Sequence, residues 1–279
     1  MSESLDLNDY FVRIGLEPVT EPTLEALHAL TFAHSSSIPF ENIDILLGRM
    51  ISLEQAALHR KLIAQARGGY CFEPNGLFLD VLSRLGYAVR PLRAGVRLGR
   101  DSRAEPVGHT HLALEVQTAG ERWLTDVGIG SYSLTQALQL IPDQEQSTPH
   151  DTRRFQVEHD RWYLQVRQGE RWVDVYEFSG DSMELPDRII ANWYTSTHPN
   201  SGFRQRLAVA KAEPRGERLS LRNNVLTRRQ LNGASDKRTL TTEAELRQAL
   251  NDCFGIKLPK ETALPAWIFA AAERPAREA

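Results

Sequence analysis

Apolar residues recur at helical spacing through the first third of the chain and at strand spacing after it, and the change falls at Gly86. Before that point Tyr10, Phe11 and Ile14 mark a short amphipathic helix. Thr20 and Pro22 open a second helix that carries Leu24, Leu27 and Leu30 and breaks at Ser35-Ser36-Ser37-Ile38-Pro39. Ser52 with Gln55 reads as a capping box for a third helix running to Arg67. A fourth carries Leu77, Phe78, Val81, Leu82 and Leu85 on one stripe and stops at Gly86. The segments 87–97, 111–116, 122–127, 155–157, 162–166 and 172–178 are short, rich in β-branched and aromatic residues, and separated by turn residues. They predict an antiparallel barrel or strongly curled sheet, with 100–107 as a loop. A helix at 186–196 follows, with Leu185, Ile189, Ile190 and Trp193 on one side. The last part mixes strands at 207–210 and 219–221 with two helices, and Thr242 with Glu245 caps the first of these before Gly255 ends it. The tail at 274–279 reads as frayed. The class is α+β, in three units: helical at 1–86, a β-barrel at 87–198, and a mixed α/β unit at 199–279.

Composition narrows the function. A chain of 279 residues with 41% apolar residues can bury several cores. The acidic start Met1-Ser2-Glu3-Ser4 carries no signal-peptide pattern, and no apolar run reaches the ~18 residues of a membrane span. The net charge of −3, without a basic cluster interleaved with aromatics, argues against a nucleic-acid partner. Neither does it suggest a membrane partner. Cys71 and Cys253 are the two cysteines. Cys253 shares a helical face with Leu246, Leu250 and Phe254 and reads as core, and two free thiols fit the cytoplasm best.

Cys71 is different. Gly68 and Gly69 end one helix and Pro74 suits the first turn of the next, so Cys71 falls at a helix N-terminus. Unpaired amides and the macrodipole there favour a thiolate, and next to a basic group such a thiol is expected to fall below its free pKa, which makes Cys71 a candidate nucleophile. Such a nucleophile needs a base, and the base an orienting acceptor. His109 and His111 lie beside a strand with a natural hairpin partner. Pairing His111 with Asp126 centres the turn between Thr118 and Ala119, and sets Leu112, Leu114 and Val116 on the opposite face. His109 has the same parity, so the pattern leaves both histidines open.

Five segments, in order, resemble the arylamine N-acetyltransferase family. They are Ile38-Pro39-Phe40-Glu41-Asn42-Ile43-Asp44, Arg67-Gly68-Gly69-Tyr70-Cys71-Phe72-Glu73, Thr110-His111-Leu112, Trp123-Leu124-Thr125-Asp126-Val127-Gly128-Ile129-Gly130, and Asn192-Trp193-Tyr194-Thr195-Ser196-Thr197-His198-Pro199 with Ser201 and Phe203. The resemblance spans almost the whole chain and selects His111 over His109. It implies a papain-like architecture in which an N-terminal helical bundle carries Cys71, a central barrel carries His111 and Asp126, and the C-terminal α/β unit is a lid. It also implies ping-pong transfer of acetyl from acetyl-CoA, a co-substrate and not a bound cofactor, to an arylamine, hydrazine or N-hydroxyarylamine. Glu41 and Arg67 look like the family's buried ion pair, and Phe40 and Phe203 like aromatic walls of the acceptor pocket. Ile129 stands where the family often has Phe, which implies a less aromatic pocket. Gly128 and Gly130 match no dinucleotide fingerprint and would let the pantetheine arm approach the backbone. Val107, Gly108 and Thr110 are the remaining candidates for contacts to CoA or the acyl group. No metal site is expected, and the chain is expected to be a monomer or homodimer. The same triad would also serve a hydrolase, a transglutaminase-like enzyme or an amide synthase. A binding module that keeps the fold is a fourth reading, and the presence of all three chemical residues argues against it.

Overall fold

A computed structural model describes residues 6–270, so the expectation for the tail at 274–279 lies outside the described residues. The N-terminal part comprises α1 (Leu7–Ile14), α2 (Leu24–Ser37), the two-residue strand β1 (Phe40–Glu41), α3 (Ile43–Leu46), α4 (Gln55–His59) and α5 (Phe72–Arg84). Local chemistry places their ends. Asp6 caps α1 through the amide of Asn8, and Gly15 closes it in the left-handed conformation. Thr23, not Thr20, caps α2 by accepting from Ala26 N at 3.2 Å.

α2 runs to Ser37 and ends within the stretch expected to break it. Ser35 donates to Leu134 O and Ser37 to Ile14 O. The break comes at Ile38, whose extended backbone is what a following proline demands. One expectation fails: the capping box at Ser52 does not form. The N-cap of α4 is Glu54 without a side-chain bond, and the helix passes at Arg60 into a π turn ending at Ala64.

Eight strands follow: β2 (Ala88–Val96), β3 (His111–Thr118), β4 (Glu121–Thr125), β5 (Leu138–Gln139), β6 (Gln146–Ser147), β7 (Thr152–Glu158), β8 (Arg161–Gln168) and β9 (Arg171–Ser182). They form one antiparallel sheet in the order β5-β4-β3-β2-β9-β8-β7-β6, curled into a nearly closed barrel. Leu92, Ala113, Leu124, Phe155, Leu164 and Tyr176 are among the residues that fill it. The other face of β3 presents Leu112, Leu114 and Val116 to the helices, where they join Leu77, Phe78 and Val81 of α5.

Beyond the barrel come α6 (Leu185–Thr197), α7 (Gly202–Gln205), β10 (Ala208–Ala212), β11 (Arg218–Arg222), β12 (Val225–Arg229), β13 (Ser235–Thr239), α8 (Glu243–Phe254) and α9 (Trp267–Ala270). The capping box of Thr242 and Glu245 and the left-handed Gly255 at the ends of α8 match the sequence expectation. Cys253 is half-buried against the α8 core, and both cysteines are free. The second sheet has the order β1-β10-β11-β12-β13, so it takes its first strand from the helical part of the chain. The apolar side of α6 faces outward, with Ile190 and Trp193 67% and 65% exposed. Its buried side is polar: Asn192 donates to Ile51 O and accepts from the hydroxyl of Tyr70, while Thr195 and Ser196 bond the carbonyls one turn back.

Candidate active site

The loop that delivers Cys71 is braced from behind by buried charge. Arg67 donates to one oxygen of Glu41 at 3.0 and 2.5 Å, and the other oxygen accepts from Ile43 N at 2.7 Å. Lys61 bridges Asp44 at 2.8 Å and Glu73 at 2.7 Å, and Glu73 in turn accepts from Tyr70 N at 3.1 Å. Burial works against the Lys61 ammonium, yet the carboxylates of Glu73, Glu41 and Asp44 prevail and raise its pKa. Burial outweighs Lys61 at Glu73, whose pKa is raised. Gly68 passes so close to β1 that a Cβ there would lie 2.0 Å from Pro39 O, which no side chain tolerates. The backbone of Glu41 bonds Gly69 O at 2.9 Å, and Cys71 becomes the N-cap of α5.

Opposite the sulfur stand β3 and the end of β4. The β3–β4 hairpin pairs Thr118 with Glu121 and Leu114 with Thr125, with Ala119 and Gly120 both left-handed in a two-residue turn. This corrects the register expected from sequence by two positions in the partner strand, so Asp126 lies just past the last paired residue instead of facing His111 directly. A slip of two keeps every side chain on its face. His111 still reaches Asp126, Nε2 to Oδ2 at 2.6 Å, with both residues buried. The second carboxylate oxygen accepts from Gly128 N at 2.9 Å and from Asn75 Nδ2 at 2.8 Å. The ring of Tyr176 lies 5.1 Å from that of His111, and burial, then the Asp126 charge, push its hydroxyl pKa well up.

A cavity of about 510 Å³ opens in front of Cys71 and His111. Of the sequence-predicted site residues, Phe40, Cys71, Thr110, His111, Gly128, Ile129, Gly130 and Phe203 line it. Phe40 and Phe203 face each other with centroids 5.9 Å apart. Val107 and Gly108 do not line it. Val107 is wedged against β2, where a Cβ on Gly95 would meet it at 2.5 Å. Gly128 also packs tightly: a Cβ there would meet Asn75 Nδ2 at 2.7 Å and the Cys71 backbone at 3.0 Å, so glycine lets this loop close onto the Cys71 turn. The expected depression of the Cys71 thiol is reversed. Burial and the Asp126 carboxylate push it up, and the amides of Phe72 and Leu112 offset only part of this. A helix N-terminus does not by itself ionise a thiol this deep.

Sequence reasoning missed two sets of residues. Asn75 lies four positions after Cys71, hence on the same helix face, which was the available signal. Arg206, Arg218, Arg222, Arg229 and Lys237 also line the cavity, and among the described residues no acidic one does. They come from α7's end and from strands whose polar composition hid them, β12 and β13 above all. Among the described residues no cluster of His, Cys, Asp and Glu could hold a metal ion, and no helix is long and apolar enough to cross a membrane.

A sequence model of the N-acetyltransferase family matches residues 23–263. The arylamine N-acetyltransferase / N-hydroxyarylamine O-acetyltransferase of Salmonella typhimurium is 38% identical over 90% of this chain and 88% of its own. The chain belongs to the arylamine N-acetyltransferase family. The Mycobacterium bovis arylamine N-acetyltransferase is also 38% identical, over 91% of this chain and 90% of that protein. The solved Salmonella typhimurium enzyme superposes with a TM-score of 0.87 at 36% identity, covering 95% of this chain and 96% of that one. The Mycobacterium marinum arylamine N-acetyltransferase in complex with CoA gives a TM-score of 0.86 at 35% identity, covering 90% of this chain and 93% of that one. Membership of the family accounts for the α+β plan of helices, barrel and second sheet.

Proposed function

We propose that this chain transfers an acetyl group from acetyl-CoA to an arylamine, arylhydrazine or N-hydroxyarylamine, in two half-reactions through acetyl-Cys71. The observation that carries this reading is the buried His111–Asp126 contact at 2.6 Å, in the wall of a cavity that also exposes Cys71. The thiol is pushed up while it stands alone, so it becomes a nucleophile by giving its proton to His111. Asp126 orients the ring and balances the imidazolium. In the first half-reaction the Cys71 sulfur attacks the thioester carbonyl, the C–S bond to CoA breaks, and CoA leaves as a thiolate that takes the His111 proton. In the second, the amine attacks acetyl-Cys71, His111 accepts the amine proton, and the Cys71 thiol is restored as the amide forms. Backbone amides around Cys71 supply the donors for the tetrahedral oxyanion.

The second sheet suits CoA. Phe40, Ala210, Ser220, Thr227 and Lys237 sit directly opposite one another across β1, β10, β11, β12 and β13, and all five line the cavity. Four inter-strand steps of about 4.8 Å give a floor of ~19 Å from the acceptor wall to Lys237. That is the order of an extended pantetheine arm, with Arg222, Arg229 and Lys237 placed for the phosphates at its far end. Small side chains at Ala210, Ser220 and Thr227 leave room for the arm itself. The purified protein mixed with acetyl-CoA alone should gain one acetyl group on Cys71 by intact mass and peptide mapping, and lose it on adding an arylamine. Acetylation elsewhere with none on Cys71 overturns the proposal, and loss at the same rate without amine would make the protein a hydrolase.

A further inference from the structure

The side chain that ties the nucleophile helix to both strands of the site is Asn75. It is fully buried, one helical turn after Cys71 on the same face of α5. Its Nδ2 donates to Leu112 O at 2.7 Å and to Asp126 Oδ1 at 2.8 Å, and its Oδ1 accepts from Val127 N at 3.0 Å. Two acceptors on one side and one donor on the other fix the orientation of the amide. Leu112 directly follows His111, and Val127 directly follows Asp126. Every polar atom of the Asn75 side chain is therefore spent on the backbone or carboxylate that carries the other two members of the triad. None faces the cavity.

We infer that Asn75 is the positioning residue of the triad: by occupying Asp126 Oδ1 together with Gly128 N, it leaves Oδ2 as the oxygen presented to His111. The inference rests on the roles proposed above for Cys71, His111 and Asp126. A carboxylate with both oxygens free could rotate, and each rotamer would meet His111 at a different distance. With two donors on Oδ1 the carboxyl plane is set, and His111 Nε2 finds Oδ2 at 2.6 Å. The same amide holds Leu112 O, so an error in the position of α5 moves Cys71, His111 and Asp126 together instead of separating them. A serine or alanine at this position would leave Asp126 Oδ1 with a single donor and Val127 N without an acceptor. The charged and titratable groups facing this centre are His111 from β3, Tyr176 from β9, Cys71 and Glu73 from the start of α5, and Arg153 from β7 at longer range.

The test uses alkylation of Cys71 by iodoacetamide and single-turnover acetylation by acetyl-CoA, across the neutral pH range. Asn75→Ser should slow both by ~10²-fold, the cost of a small misplacement of reacting groups, and leave KM for acetyl-CoA within about threefold. In an Asp126→Asn background the same substitution should cost at most about threefold more, because its effect passes through Asp126. A folded Asn75→Ser protein with native alkylation and acetylation rates overturns the inference, as do losses that multiply in the double variant. Should the variants not fold, the native protein decides: the side-chain amide of Asn75, followed by ¹⁵N NMR, should shift when Cys71 is acetylated, and an unmoved signal counts against the role. Absence of acetyl-Cys71 in the native protein would instead sink the underlying reading, so the two failures are distinguishable.

Discussion

Replacing Asp126 by asparagine is the sharpest probe of the site, because the structure dictates how the new amide must turn. Asp126 is fully buried, and its carboxylate meets Asn75 Nδ2 and Gly128 N at Oδ1 and His111 Nε2 at Oδ2. Two of these partners are committed donors at the same oxygen. An amide that pointed its NH₂ at them would bury two clashing donor pairs, each costing on the order of 1–3 kcal/mol. The asparagine therefore sets its oxygen toward Asn75 and Gly128 and its NH₂ toward His111. His111 must then accept at Nε2 and carry its proton on Nδ1, the tautomer that cannot take a proton at its free nitrogen. The comparable change in a serine triad costs ~10⁴ in rate, or ~5 kcal/mol at 1.36 kcal/mol per decade. Stability should fall far less, since both Oδ1 bonds survive and only the His111 contact changes. The assay is rapid-quench acetylation of Cys71 by acetyl-CoA, read by mass, with thermal melting in parallel. A folded Asp126→Asn protein that acetylates Cys71 within about tenfold of the native rate would refute the tautomer argument and the role of Asp126 with it.

Three further outcomes follow from other parts of the molecule. His111→Asn should abolish acetyl-Cys71 formation while His109→Asn, at an exposed position outside the cavity, should form it at nearly the native rate; the reverse pattern would overturn the assignment. Glu41→Gln leaves the Arg67 guanidinium and Ile43 N with a neutral partner at the core of the nucleophile loop, and should cost ~3–5 kcal/mol in urea unfolding; a loss below ~1 kcal/mol would mean that the pair is not the brace it resembles. Asp151 is held well below the usual carboxylate range by Arg153 and Arg218, which outweigh its burial, so its contribution is complete above the unfolded value of ~3.9 and disappears only as pH falls through the lower folded value. Asp151→Asn should accordingly destabilise the protein at neutral pH and erase that acid-dependent loss, and an unchanged stability difference between neutral and strongly acid pH would contradict this.

Much of the architecture was legible because it rests on local signals. The α5 stripe from Leu77 to Leu82, the box of Thr242 and Glu245, and the left-handed Gly255 are all written within one or two turns of chain. Within the stretch 35–39 the break falls at Ile38 and not in the serines, where Ser35 and Ser37 are satisfied by Leu134 O and Ile14 O, partners 99 and 23 positions away. α6 turns its polar side inward. Its apolar residues share a side, but its buried side is the one that Asn192, Thr195 and Ser196 can satisfy with hydrogen bonds. β13 reads Ser235-Asp236-Lys237-Arg238-Thr239, all exposed, and it is a strand only because β12 lies beside it.

The site shows where sequence reasoning on chemistry succeeds and where it stops. Parity survived a wrong register: moving the hairpin by two left His111 and Asp126 on one face, and their side chains bridge the offset to 2.6 Å. Electrostatics did not survive in the same way. A helix N-terminus and a basic neighbour favour the Cys71 thiolate, but its burial, which is not visible in the sequence, and the Asp126 carboxylate push the thiol up, and the amides offset only part of this. In the proposed mechanism the thiol gives its proton to His111, whose partner carboxylate is held from the other side by Asn75 and Gly128. Glycine at 128 lets that loop pack this closely, since a Cβ would lie 2.7 Å from Asn75 Nδ2 and 3.0 Å from the Cys71 Cα. These groups come from three separate parts of the chain, α5, β3 and the segment after β4, so no single stretch of sequence carries the site. It is set by the distance at which α5, β3 and the end of β4 are locked together.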